Sequence, residues 1–404
     1  MQYFEKEQLM KKISVTLVQL LVISIPLPIR ISSLILVITL ALFLIKAIKE
    51  KDFSLNFITS PLAILTISLF LISAIGLLYT SNLTQGLLDL ERSAFLISLL
   101  FIVYYMRKLN IPVFKLIITF AIGCFAVIIY GLAYALIMLN DDQQNRVFEL
   151  GHTYFSDIII IHPIYMSVYF IFIFFFLMET IRQKRENLKP LFIIGIGVAI
   201  VSIVGILFFL RSQMSLVIFV MLLVIYTVII LKRRAWFVTF ALFTVALLVF
   251  LLDSNRVTTF FDRYGKNVSS ALDQRFSVWH GTIEAIKTAP FFGAGTGGEQ
   301  ELINEGYAKT GYQEGIDNSY NAHNQYLQFF VRNGIPEFLC FLALLFYSFR
   351  QSLKTTNYAF LMFNMIVTLI MLTESFLNVQ RGIVFFFFFV FAFLYLPYES
   401  EKES

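Results

Sequence analysis

The chain has 404 residues, 58% of them hydrophobic and 17% aromatic but only 14% charged, with a mean hydropathy of +0.80. Average soluble domains carry about 25% charged residues, so the composition excludes a disordered chain and argues against a water-soluble globular enzyme. The expected fold class is an all-α polytopic membrane protein. A formal net charge of +5 could suit nucleic acid, but the Lys and Arg are scattered among short loops and form no single patch, so no nucleic acid is expected.

Twelve apolar segments run over 13–29, 31–48, 59–79, 93–106, 113–139, 157–178, 190–210, 213–231, 235–252, 335–349, 358–374 and 382–397. Each is expected to be helical, because a bilayer leaves an isolated backbone no other way to satisfy its polar groups. The first lacks a small-x-small cleavage site and runs into Pro26 and Pro28, so it reads as an uncleaved span. With the N-terminus inside, every inside loop carries at least two Lys or Arg, such as Lys46 and Lys49, Arg107 and Lys108, Arg182 and Lys184, or Arg350 and Lys354. The short outside loops carry one apiece: Arg30, Arg92, Arg146, Arg211 and Arg381. Both termini are therefore expected to be cytoplasmic.

This division gives 1–252 as spans 1–9, 253–334 as a large external loop, and 335–404 as the last three spans and a cytoplasmic tail. The loop mixes seven cationic with nine acidic residues, as a folded external subdomain would; long loops cross largely regardless of charge. The five-phenylalanine run 385–389 in the last span is expected to face lipid.

Within the loop, Leu272, Phe276, Trp279, Ile283 and Ile286 form one apolar stripe at helical spacing. It should pack against the membrane-embedded body or the interface, with Arg275 and His280 at its edges and Pro290 as its stop. The following glycines at 293, 295, 297 and 298 read as a turn that fits the helix end to the body rather than as a phosphate cradle. Asn321 or Ser319 can then cap a helix ended by Asn333-Gly334, with Pro336 opening the next span. His323 would sit in the first turn, where the helix dipole keeps imidazole neutral. A lone histidine is also an ordinary structural residue, and this segment offers no second catalytic partner.

Ionisable residues of the spans gather at the outer ends: Arg211, Asp157, His162, Glu374 and Arg381. Glu374 with Arg381 reads as an interhelical pair, whereas Arg211 has no acid nearby in sequence. Asp141-Asp142 lacks the spaced partners of an oxygen-ligand metal site.

Three local matches resemble the O-antigen ligase and polymerase superfamily. Arg275-Phe276-Ser277-Val278-Trp279, with Ala289-Pro290-Phe291-Phe292-Gly293-Ala294-Gly295 beyond it, is similar to the R-x-x-x-W and P-hydrophobic-x-G-x-G pattern. His323-Asn324, followed after nine residues by Gly334, resembles the ligase signature H-[NSQ]-x9-G-x-x-[GTY]. Leu210-Arg211-Ser212 stands where the family has Ser-Arg opening a span. The chain departs from these patterns in two places: position 337 is glutamate, and the serine follows Arg211.

The resemblance implies a membrane glycosyltransferase of the bacterial inner membrane with its site on the periplasmic face. Its members move a glycan from undecaprenyl diphosphate to an acceptor such as lipid A-core. On that basis Arg211 and Arg275 are expected to bind the diphosphate and His323 to act as general base in an inverting displacement. His162, Asn324, Gly334 and Glu374 are supporting candidates, and no metal or other cofactor is expected. A polysaccharide polymerase and a protein O-oligosaccharyltransferase are the alternatives within the superfamily. A lipid-linked sugar transporter is the alternative outside it, although no paired halves or broken midplane helices are legible.

Overall fold

A computed structural model describes residues 2–50, 58–138, 161–184, 188–210, 212–228 and 268–399, and every regular element among them is helical. The elements, in chain order, are α1 (Gln2–Ser24), α2 (Ile29–Lys49), α3 (Pro61–Gly76), α4 (Leu83–Met106), α5 (Val113–Met138), α6 (Pro163–Lys184), α7 (Pro190–Phe209) and α8 (Gln213–Tyr226). Beyond them come α9 (Val268–Thr288), α10 (Glu299–Thr310), α11 (Gln313–Asp317), α12 (Gln325–Lys354), α13 (Tyr358–Ile370) and α14 (Gln380–Tyr395). Among the described residues five helices, α2, α6, α7, α12 and the Val113–Tyr134 part of α5, are long and apolar enough to cross a membrane. Helices α3, α8, α13 and α14 are shorter and apolar. The expected ninth span, 235–252, lies outside the described residues.

Local sequence sets the helix starts. Ser60 caps α3, its Oγ accepting from Ala63 N at 3.2 Å, with Pro61 in the first turn. Asn82 and Asn357 do the same for α4 and α13, accepting from Gln85 N at 3.1 Å and Phe360 N at 3.0 Å. Each cap satisfies a backbone donor that the helix itself leaves unpaired.

The helices enclose one main apolar core, to which α4, α6, α13 and α14 contribute heavily. The phenylalanine run corrects the expectation of a lipid-facing face: all five rings, Phe385 to Phe389, are buried. Helix α14 packs along α4 and also meets α13. Phe385 meets Tyr169 at 4.6 Å and Phe363 at 5.4 Å between ring centroids. Bulky aromatic side chains here fill the centre of the bundle, where tight packing rewards them.

The loop subdomain has its own small core of Val278, Ala285, Ile303, Tyr307, Ala322 and Val331. Helices α9 and α10 cross where Gly281 meets Gly306; a Cβ on Gly306 would fall 2.0 Å from the Gly281 carbonyl oxygen. This close crossing turns the small face of α9, with Val278, Thr282 and Ala285, inward. The apolar stripe expected to pack is therefore split: Trp279 and Ile286 join the loop core, whereas Phe276 and Ile283 are 61% and 41% exposed. Leu272 lies where side chains are not described.

The glycine run forms the turn its sequence suggested, with positive φ at Gly293, Gly295 and Gly297. It seats the loop on the body, Thr296 Oγ1 donating to the Ser73 carbonyl of α3 at 2.8 Å. Helix α12 breaks at Asn333 and Gly334, whose φ and ψ are 66° and −153°. That break separates the half that packs with the loop core from the half that begins at Ile335.

Candidate active site

The turn 319–324 and the turn 371–378, which links α13 to α14, lie side by side. Asn324 is the cap of α12: its Oδ1 accepts from Tyr326 N at 2.9 Å and Leu327 N at 3.1 Å, and its Nδ2 donates to the Leu372 carbonyl at 3.0 Å. Gln325 N donates to the Met371 carbonyl at 2.8 Å, and Gln325 Oε1 accepts from Leu377 N at 2.6 Å. Asn321 Oδ1 accepts from His323 N at 2.9 Å and from Ser375 Oγ at 3.2 Å. These bonds clamp the two turns together.

The expected position of His323 needs correction. Because Asn324 takes the first free amides, the helix starts at Gln325, and His323 precedes the cap in a left-handed conformation with φ of 42°. The first-turn dipole is not what governs the ring. Instead its Nδ1 lies 3.6 Å from Glu374 Oε2. Its ring also meets the edge of Tyr320, with centroids 5.9 Å apart.

Glu374 is shared. Its Oε1 accepts from Arg275 Nη2 at 3.2 Å, and Arg275 Nη1 donates to the Thr373 carbonyl at 2.5 Å. The expected Glu374–Arg381 pair is absent among the described contacts, because Arg275 of α9 occupies the carboxylate. Burial alone would push the Glu374 carboxyl up, but His323 and the Arg275 guanidinium outweigh it and hold it below the usual carboxylate range. The arrangement is thus an ionised carboxylate between a guanidinium and an imidazole.

Such a carboxylate fixes imidazole orientation. With Nδ1 turned to Glu374, Nε2 is the ring nitrogen left to exchange a proton with a substrate. Arg275 brings a planar cation to the same carboxylate, with its Nε uncommitted among the described hydrogen bonds.

The other candidates fall as follows. Gly334 serves the loop's seating: its backbone turn lies against Phe291, where a Cβ would come 2.2 Å from the carbonyl oxygen. His162 stands just before α6, Nδ1 accepting from Ile164 N at 3.4 Å. Arg211, Asp157 and Asp141-Asp142 lie outside the described residues. Among the described residues, no three His, Cys, Asp or Glu side chains gather as a metal site.

Glu337, the departure from the ligase signature, is buried and takes Arg332 Nε at 3.0 Å and Asn333 Nδ2 at 3.0 Å. Here the glutamate neutralises an interior arginine five positions earlier, which gives the departure a local packing reason.

Sequence reasoning missed Arg381 as an isolated cation. It is 7% exposed, its Nε is buried without a hydrogen-bond partner, and no ion pair reaches it among the described residues. It lies close enough to Tyr165 and Tyr169 to act on both electrostatically, and Glu374 acts on Tyr165 as well. A buried guanidinium without an acid is costly. The only sequence signal was an arginine beside an outer span end.

Residues 198–342 match a family model described as O-antigen ligase. A Haemophilus influenzae protein, described as an uncharacterized protein, is 28% identical over 104 residues. That stretch is 25% of this chain and 26% of the relative, so the similarity spans about a quarter of the relative's length.

Proposed function

We infer that the chain is a member of the O-antigen ligase superfamily, because residues 198–342 match that family's model, and the activity is inferred from that premise. Members of that family are glycosyltransferase-like enzymes. We propose that this protein moves a glycan from undecaprenyl diphosphate to an acceptor hydroxyl of lipid A-core. The reaction takes place at the periplasmic leaflet of the bacterial inner membrane. The observation that carries the reading is the convergence of His323 and Arg275 on Glu374.

In the proposed reaction His323 Nε2 takes the proton of the acceptor hydroxyl as its oxygen attacks C1 of the donor sugar. The C1–O bond to the diphosphate breaks, its electron pair leaves with the phosphate oxygen, and C1 inverts. Glu374 stabilises the imidazolium that forms. Arg275 and Arg211 meet the charge developing on the leaving diphosphate, the work that an oxyanion site or a metal does elsewhere. Arg381 adds a third cation, with no acid paired to it among the described residues. Fixed guanidiniums remain charged and match phosphate geometry, so no divalent metal is required.

The test uses purified protein, lipid-linked glycan and lipid A-core in excess EDTA. Transfer by the parent and loss of about 10²–10⁴-fold in His323→Ala is the expected result for removal of a general base. Abolition by EDTA with restoration by magnesium removes the metal-free mechanism. A deletion strain separates the nearest alternative: polymer absent from the core with carrier-linked polymer accumulating means ligase, whereas a core with a single repeat unit means polymerase.

A further inference from the structure

A cavity of about 440 Å³ borders both clamped turns, and none of Arg275, His323 and Glu374 lines it. Its size falls among small-molecule sites, which run to about 300–1,000 Å³. Asn321 and Asn378 line it. Asn321 holds His323 N, and Asn378 lies with Glu374 in the turn 371–378, so the cavity and the cluster share their supports.

Its polar wall comes from three elements: Asp89 and Arg92 of α4, Glu299 and Gln300 of α10, and Gln328 and Arg332 of α12. Both arginines are neutralised, but Arg92 keeps its Nε and Nη2 without a partner among the described residues. Arg92 Nη1 lies 2.6 Å from Asp89 Oδ1, and Arg332 is held by Glu337. Glu299 and Glu301 leave the lining acidic on balance, which is hostile to a phosphate. Hydrogen-bonding capacity remains. Gln328 is 2% exposed; its Oε1 accepts from Ala322 N at 3.1 Å, while its Nε2 has no partner among the described residues. Gln300 spends its Nε2 on Asn304 and the Tyr320 carbonyl and leaves its Oε1 open. Leu69, Phe329 and Phe387 supply an apolar wall.

Open donors and acceptors on one side and aromatic carbon on the other describe the partner. A sugar hydroxyl both donates and accepts, and a pyranose also offers a face of C–H groups. We propose that this cavity is a subsite for an uncharged pyranose of the glycan substrate, held beside His323 and apart from the diphosphate. The assignment rests on the glycosyl-transfer reading above. The sugar can belong to the donor repeat unit or to the acceptor; both present the same chemistry to the wall.

Two variants test the site. Arg92→Gln removes a charge-assisted donor from a half-exposed position. Gln328→Glu keeps the acceptor for Ala322 N but replaces the open amide donor. Two probes are used: oligosaccharide released by mild acid from the source cell's surface glycan, with binding followed by saturation-transfer NMR, and the KM of each substrate in the transfer assay. Each variant should weaken oligosaccharide binding and raise one KM by about tenfold, the worth of a single charge-assisted hydrogen bond, at near-parental kcat. A rise confined to the donor assigns a donor sugar, and one confined to the acceptor assigns an acceptor sugar. Parental binding and parental KM values in a folded Arg92→Gln protein overturn the proposal. A parent that transfers nothing yet binds the oligosaccharide, with binding lost in Arg92→Gln, keeps the site and rejects the ligase reading.

Discussion

Glu374 stands 3.6 Å from Nδ1 of His323 although the two are 51 positions apart, and it lies beyond the segment 198–342 that matches the ligase family. The turn that carries it is held in place by Asn324, Gln325 and Asn321. A carboxylate in this position orients the imidazole of a half-buried histidine before a helix cap, as the proposed base role requires.

Glu374→Gln should therefore preserve the fold and lose turnover. The amide keeps the shape and can still accept from Arg275, but it cannot stabilise an imidazolium. A fall in kcat of about 10²-fold, with donor and acceptor KM near parental values, is expected. A changed KM at unchanged kcat would assign Glu374 to positioning alone.

Acid should weaken the docking of the loop on the body through the same residue. The folded Glu374 carboxyl titrates below its ordinary range, so in the window between the two values the unfolded chain binds a proton that the folded chain does not. Stability then rises with pH through that window and is lost as pH falls through the folded value. Thermal unfolding of the parent should show this loss below about pH 4, and Glu374→Gln should lack that component. Identical acid limbs in the two proteins would contradict the linkage.

Arg381 makes the opposite combination testable. Arg381 has no acid partner among the described residues and its buried Nε has no hydrogen bond, so removing the cation relieves a desolvation cost on the order of several kcal/mol. Arg381→Met should therefore unfold at the parental temperature or higher while binding the lipid diphosphate donor more weakly. A large drop in Tm with unchanged donor affinity would make this arginine structural.

Gly334→Ala should act on the seating of the loop. At φ of 66° and ψ of −153° the position suits glycine, and the new methyl would meet the Phe291 carbonyl oxygen at 2.2 Å. The strain is worth about 1–3 kcal/mol. Faster proteolysis within 268–334, together with reduced transfer, is the expected result; parental proteolysis would show that the break in α12 tolerates a side chain.

Periodicity and local chemistry alone determined much of this protein. The apolar runs over 31–48, 113–139, 157–178 and 190–210 became α2, α5, α6 and α7, because apolar periodicity and breakers such as Pro163 and Pro190 act within a few residues. The break at Asn333-Gly334 and the glycine turn were legible for the same reason. Arg275 and His323 were legible as single residues but not as a pair, since Glu374 lies 99 positions from the first and 51 from the second. Only the packing of α9 against α10 and of turn 371–378 against turn 319–324 decided that they share a carboxylate. The same level of structure buried the phenylalanine run, left Phe276 and Ile283 exposed, moved His323 ahead of its helix, and left the buried Nε of Arg381 without a hydrogen bond among the described residues. Local sequence limits which face of a helix can be buried; which neighbour covers that face is set by packing density and charge compensation summed over the whole bundle.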